Sequence, residues 1–196
     1  MTHRTSRIER KTAETAILLT LDLDGSGSGV IATGVGFFDH MITLLARHAL
    51  FDIHLEARGD VEVDAHHTVE DVGICLGRAL LEALGDKRGI VRYGFFMLPM
   101  DEALAHVALD LSGRPTLEWR ADIPGEKCGA FDTCLGREFM RGLAIGAGLT
   151  LHVDLVAGRD PHHALEAIFK GVGRALRMAV GFDPRETGVP SSKGVL

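Results

Sequence analysis

Apolar residues recur at two spacings along this chain, and the changes from one spacing to the other divide it into elements. A period of two runs through Arg7-Ile8-Glu9-Arg10 and again, longer and more apolar, from Thr15 to Leu23, which predicts two strands. Asp24-Gly25-Ser26-Gly27-Ser28-Gly29 reads as a turn, so Val30-Ile31-Ala32 is expected to return as a hairpin. The three glycines resemble a phosphate loop, but no helix with a P-loop lysine follows, and the turn is the better reading. A helical period then runs from Gly36 to His48, with Phe37, Met41, Leu44, Leu45 and His48 roughly on one side and Asp39 in the first turn. Phe51 to Arg58 alternates again, and a second helical stretch ends near Leu84-Gly85, with glycine as the stop.

The second half repeats this order. Strands are expected at Arg92 to Leu98 (broken at Pro99), Leu104 to Leu111 and Thr116 to Trp119. A Gly-rich loop from Pro124 to Gly129 precedes a helix from Glu138 to Ala147, a strand from Leu149 to Val156, and a helix opened by Pro161 and ending near Gly181. Each half therefore reads β-β-(β)-α-β-α. The expected class is α+β: one domain over 1–196, with halves of about 7–86 and 87–182, a tail at 183–196, and helices clustered between two β-sheets.

The halves also share a motif. His66-His67-Thr68-Val69-Glu70 runs into Gly77-Arg78-Ala79-Leu80, and His162-His163-Ala164-Leu165-Glu166 runs into Gly173-Arg174-Ala175-Leu176, with a constant offset of 96 (162 − 66; 173 − 77). Both copies fall on the first turn of an amphipathic helix, where the histidines are i,i+4 and i,i+3 neighbours of the glutamate and either can chelate with it. Adjacent histidines diverge by about 100° around the helix, so they imply either two ions or two protein surfaces. One such copy is a polar helix start as readily as a ligand set; two copies point to metal, and nitrogen and oxygen donors without thiolate suit Mn, Fe, Co, Ni or Zn. Upstream, His40 falls opposite Glu138 (138 − 40 = 98), so each half offers one more ligand candidate from its first helix. His54 and His152 share the same offset of 98 but lie on strands, where structural histidines are expected.

Composition narrows the picture little. At 196 residues and 46% hydrophobic content the chain can bury a sizeable core, and a net charge of −6 argues against nonspecific nucleic-acid binding. The N-terminal stretch has no apolar leader and no 18-residue apolar run follows, so no membrane contact is expected. Cys75, Cys128 and Cys134 are odd in number and lack CxxC spacing, which suits a reduced, cytoplasmic setting.

Several further stretches carry a resemblance: Thr33-Gly34-Val35-Gly36-Phe37-Phe38-Asp39-His40-Met41, Asp64-Ala65-His66-His67-Thr68-Val69-Glu70-Asp71, Pro99-Met100-Asp101-Glu102-Ala103, Asp110-Leu111-Ser112-Gly113-Arg114-Pro115, Gly158-Arg159-Asp160-Pro161-His162-His163 and Pro190-Ser191-Ser192-Lys193-Gly194. Together, over residues 7 to 196, the chain resembles the imidazoleglycerol-phosphate dehydratase family, lyases of histidine biosynthesis. It departs at Ser192, where threonine is common, and at Glu138, where some members have histidine. The resemblance implies a ribosomal S5 domain 2-like fold and conversion of D-erythro-imidazole glycerol phosphate to imidazole acetol phosphate. Two Mn(2+) ions per active site would stabilise an imidazolate. By the same resemblance the ring would then expel the C3 hydroxyl through a diazafulvene-like intermediate, and loss of the C2 proton would give an enol that tautomerises to the ketone.

The same resemblance assigns roles. His40, His66, His67, Glu70, Glu138, His162, His163 and Glu166 would be metal ligands, with His40, His66 and Glu70 also touching substrate. Glu14, His48 and Asp101 would be catalytic, Glu14 and His48 contacting the substrate as well. Arg92, Arg114, Ser192, Lys193 and Gly194 would hold its phosphate. Lys170 and Arg174 read as local support for the helix pair. The family implies homo-oligomers, trimers that join with manganese into particles of about 24 subunits. Two other readings stand beside this one. A dinuclear metallohydrolase would release phosphate; a noncatalytic metal-storage or assembly protein would need neither Glu14 nor an arginine clamp.

Overall fold

The computed structural model describes residues 3–196. The first half contains β1 (Thr5–Lys11), β2 (Thr15–Asp22), β3 (Gly29–Ala32), α1 (Gly36–Ala49), β4 (Asp52–Gly59) and α2 (His66–Leu84). The second contains β5 (Tyr93–Met100), β6 (Ala103–Asp110), β7 (Thr116–Arg120), the two-residue strands β8 (Lys127–Cys128) and β9 (Phe131–Asp132), α3 (Leu135–Ala147), β10 (Thr150–Ala157) and α4 (Pro161–Val180). The two four-stranded sheets have the same layout, β1-β2-β4-β3 and β5-β6-β10-β7, with the last strand of each parallel to its neighbour.

Three expectations need correction. Val30-Ile31-Ala32 forms no hairpin with the strand before it; β3 lies parallel to β4, and β4 sits between them. The Gly25–Gly29 loop crosses over the start of β4 instead, where Asp52 Oδ1 accepts the backbone N–H groups of Ser26 and Ser28, both at 2.8 Å. Gly29 crosses so closely that a Cβ there would lie 1.7 Å from Ile53 O. Pro99 does not break its strand, because β5 is an edge of its sheet and a missing N–H is tolerated there. On α1 the buried face is Phe38, Met41, Ile42, Leu45 and Ala46; Phe37 and Leu44 are only partly covered. The loop after Pro124 also holds the small β8–β9 hairpin, too short to leave a periodic signal.

The helices lie between the sheets in crossed pairs. α2 covers β1 and β2 and packs on α3, which reaches β7; α4 covers β5 and β6 and packs on α1, which reaches β3. Each pair thus joins one helix from each half. Both pairs run parallel and very close: a Cβ on Gly77 of α2 would lie 2.5 Å from Leu143 O of α3, and one on Gly173 of α4 would lie 2.6 Å from Leu45 O of α1. Parallel packing sets the first turns of paired helices side by side, and those turns carry the candidate ligands. Phe38, Phe139 and Phe169 link α1, α3 and α4 with centroid spacings of 5.4 and 5.2 Å, each pair adding about 1 kcal/mol beyond its buried area.

Candidate active site

At the start of α4, Asp160 caps the helix, accepting from the backbone N–H of His162 at 2.8 Å and of His163 at 3.4 Å, with Pro161 at the first helical position. The next turn carries Glu166, which is buried, and the α1–α4 contact places His40 above it. His40 Nε2 lies 2.8 Å and His162 Nε2 3.1 Å from Glu166 Oε1. One ligand atom from each of the three falls within 4.8 Å of the others. Lys170 donates to the other carboxylate oxygen. Burial raises the Glu166 pKa, but hydrogen bonds from Lys170, His40 and His162 outweigh it and hold the carboxyl at about 2. An anionic carboxylate under two half-exposed imidazoles is a donor set that fits a divalent transition metal.

The start of α2 repeats the frame with different partners. His66 Nε2 stands 3.7 Å from Glu70 Oε2, and the α2–α3 contact brings in Glu138. Arg141, one turn along α3, donates to Glu138 at 2.9 Å and to Glu70 at 2.8 Å. The first-helix candidates therefore do join the motif helices, but each joins the motif of the opposite half: His40 meets His162 and Glu166, while Glu138 shares Arg141 with Glu70.

The second histidine of each motif faces elsewhere. His67 Nδ1–H donates to Asp60 at 3.0 Å, with Glu14 Oε2 3.8 Å away. His163 Nδ1–H donates to Glu102 Oε2 at 2.8 Å, and Asp101 Oδ2 lies 3.7 Å from its Nε2. Both pKa values rise, that of His67 through Asp60 and that of His163 through Glu102. Glu102 also accepts the backbone N–H of Asp160 at 2.9 Å and of Arg159 at 3.1 Å, and these bonds together with His163 hold it at about 2. With Nδ1 engaged, each ring presents Nε2, the pattern of a buttressed metal ligand. His48, two turns along α1 from His40, is held below its usual pKa by burial and by Lys170 and Arg174.

The phosphate candidates form a separate group. Arg92 chelates Asp110 at 2.7 and 3.0 Å and donates to Pro190 O at 2.7 Å, which ties it to the tail. Arg114 stays 69% accessible, and a Cβ on its neighbour Gly113 would meet Leu196 at 3.2 Å, so the chain end lies alongside. In the tail itself, Ser191 receives the backbone N–H of Lys193 on its hydroxyl and that of Gly194 on its carbonyl, and Ser192 and Lys193 are exposed. This group adjoins the far end of α4, since Arg92 N–H donates to Ala179 O. The 17 residue steps from His162 to Ala179 (179 − 162) make about 25 Å of helix.

A family model for imidazoleglycerol-phosphate dehydratase matches residues 33–176. An imidazoleglycerol-phosphate dehydratase of Cereibacter sphaeroides is 60% identical over 194 residues, covering 98% of this chain and all of the relative. One from Desulforamulus reducens is 56% identical over 196 residues, covering both chains fully. The chain belongs to the imidazoleglycerol-phosphate dehydratase family. It is accordingly a hydro-lyase of histidine biosynthesis. Two solved structures share the fold: the Staphylococcus aureus dehydratase, with TM-score 0.83 and 42% identity over 91% of this chain and 99% of that one, and the Pyrococcus furiosus dehydratase in complex with (S)-C348, with TM-score 0.84 and 36% identity over 96% of this chain and all of that one.

Within this family frame, sequence reasoning passed over Arg141, Asp60 and Glu102. Arg141 was legible, since Glu138 and Arg141 have the i,i+3 spacing of a helical ion pair. Asp60 and Glu102 were not, because each reaches its histidine from a loop or a turn on another element. His54 is exposed and His152 partly so, on strand positions that alternate with buried Ile53, Leu55, Leu151 and Val153, which places both on faces turned away from the helix layer.

Proposed function

We propose that this protein performs the dehydration with manganese, converting D-erythro-imidazole glycerol phosphate to imidazole acetol phosphate. The observation that carries this reading is the convergence of His40, His162 and Glu166 on one point. His66 and Glu70, with Glu138 linked to Glu70 through Arg141, would supply a second nitrogen–oxygen set, and His67 and His163 would offer Nε2 on further faces. Bound manganese would supply Lewis acidity to the nitrogens of the substrate ring. Glu14, 54% accessible beside His67, would take the C2 proton. That proton and the C3 hydroxyl leave as water. His48, whose lowered pKa keeps its ring neutral at neutral pH, can hydrogen-bond a substrate hydroxyl, and Asp101 stands beside His163 as a second carboxylate.

The distance along α4 supports a homo-oligomer. A substrate with three carbons between ring and phosphate cannot span about 25 Å from the His162 cluster to Arg92, Arg114 and the tail of the same chain. A second copy would bring its own Arg92, Arg114, Ser192, Lys193 and Gly194 to these histidines, in trimers that associate with manganese into particles of about 24 subunits. Exposed Tyr93, Phe95 and Met97 on the outer face of β5 suit such an association, at 53%, 64% and 63% accessibility. No helix among the described residues is long and apolar enough to cross a membrane.

The test is direct. Purified protein loaded with Mn(2+) and given imidazole glycerol phosphate should yield the ketone with its phosphate retained; phosphate release without ketone would replace this reading with a metallohydrolase.

A further inference from the structure

The β1–β2 turn that carries Glu14 is built in a way that its counterpart in the second half is not. The first-half turn spans Thr12 to Thr15, closed by Thr12 N–H donating to Thr15 O at 2.8 Å. Thr12 Oγ1 accepts the backbone N–H of Thr15 at 2.9 Å and of Glu14 itself at 3.2 Å. Thr15, 3% accessible, donates its hydroxyl to Asp71 Oδ2 at 2.5 Å, and Arg10 donates to the same oxygen at 2.6 Å. Asp71 is on α2, one residue after Glu70. The turn is thereby tied to the helix that carries His66, His67 and Glu70.

The second half lacks this tie. Adding the motif offset of 96 to Asp71 gives Ala167, which is apolar and fully buried. The β5–β6 turn there is short, with Met100 and Ala103 paired across Asp101 and Glu102, and Glu102 is bound to His163 and the backbone N–H groups of Arg159 and Asp160. In that half the acidic side chain is fixed by its own hydrogen bonds. Among the described residues the Glu14 carboxylate has only the 3.8 Å approach to His67, so its backbone must be fixed for its carboxylate to be aimed. Burying an aspartate is costly unless it is paired and hydrogen-bonded, and here the partners all belong to the Glu14 turn and its strand.

We infer that Asp71, Thr15 and Thr12 are positioning residues that hold Glu14 over the site, an inference resting on the reading of Glu14 as the proton-transfer group. Misplacement of a reacting group by about 1 Å can cost up to about a hundredfold, and loosening this turn without removing the carboxylate should cost about tenfold.

The experiment compares Thr12→Val and Thr15→Val with Thr12→Ser and Thr15→Ser, each in the natural and the Glu14→Gln backgrounds. The readouts are kcat, KM and bound Mn per chain of the folded, assembled protein. The valine variants should lower kcat about tenfold with KM and Mn content changed less than about twofold, the serine variants should restore it, and the valine effect should vanish in the Glu14→Gln background. Thr12 is exposed, so Thr12→Val carries the test if burial makes Thr15→Val fold poorly. Unchanged kcat in the folded valine variants, failure of serine to restore it, or the same loss in both backgrounds would each overturn the positioning role while leaving Glu14 in place. Near-normal turnover of Glu14→Gln alone would instead overturn the reading of Glu14, and this inference with it.

Discussion

The starts of α2 and α4 show one backbone frame put to two electrostatic uses. Both present H-H-x-x-E on a first turn, and both are pressed against a parallel partner through a glycine 96 residues apart in sequence, Gly77 and Gly173. At α4 the partner helix supplies His40, and Glu166 is left surrounded by His40, His162 and Lys170. At α2 the partner supplies Glu138, a second carboxylate beside Glu70, and Arg141 bridges the two. Packing conserves the glycine, the histidines and the glutamate of the frame, while one exchange on the partner helix reverses the charge that must be balanced. The turns beside the two motifs diverge in the same way. Glu102 is consumed by three donors, and Glu14 is kept available.

The largest effect that would break this contrast is on turnover. Glu14→Gln keeps size and hydrogen-bonding capacity and should lower kcat by about two orders of magnitude or more, with Mn content unchanged, as steady-state assays and metal analysis would show. Near-normal kcat would make the two turns equivalent after all. Next is assembly. If ligands from separate chains share ions, removing Mn with a chelator should shift sedimentation from the large particle toward trimers and abolish activity, and adding Mn back should restore both. An unchanged particle after verified Mn loss would mean the ions do not join the trimers.

Packing should respond alike in both halves. Gly77→Ala places a methyl against Leu143 O and Gly173→Ala against Leu45 O, both backbone atoms, so each should cost about 2 kcal/mol in denaturant unfolding. A neutral result at one site would show that its helix pair is looser than the other. The smallest effect is on pH. The folded Glu102 carboxyl sits at about 2 against an ordinary 4.5, so its contribution to stability is complete above pH 4.5 and is lost as pH falls toward 2. The Tm difference between metal-free natural protein and Glu102→Gln should therefore shrink on going from about pH 5 to about pH 3; a constant difference would mean that Glu102 is not selectively stabilised as the anion.

Much of this was legible in the sequence because it was local. Amphipathic periods marked α2 and α4, and the i,i+4 spacings in His66–Glu70 and His162–Glu166 announced side chains on one helix face. The alignment of His40 with Glu138 was legible too, but their exchange between halves was not, since it depends on which helices pack together. The β3 register was missed for a similar reason: Gly25 to Gly29 has the composition of a hairpin turn, yet Asp52 and the close pass of Gly29 over Ile53 send the chain across the end of β4. Asp71 gave no sequence signal of its role, because Thr15 at the start of β2 and Arg10 on β1 approach it from 56 and 61 residues away.

The central proposal is that the two H-H-x-x-E motifs, each joined by a ligand candidate from the opposite half, hold the manganese ions. The most direct measurement is Mn content per chain, with turnover alongside, in His67→Ala and His163→Ala. Each variant should bind less Mn than the natural protein and lose turnover. Full Mn occupancy with activity preserved in both would contradict the ligand assignment on which the account rests.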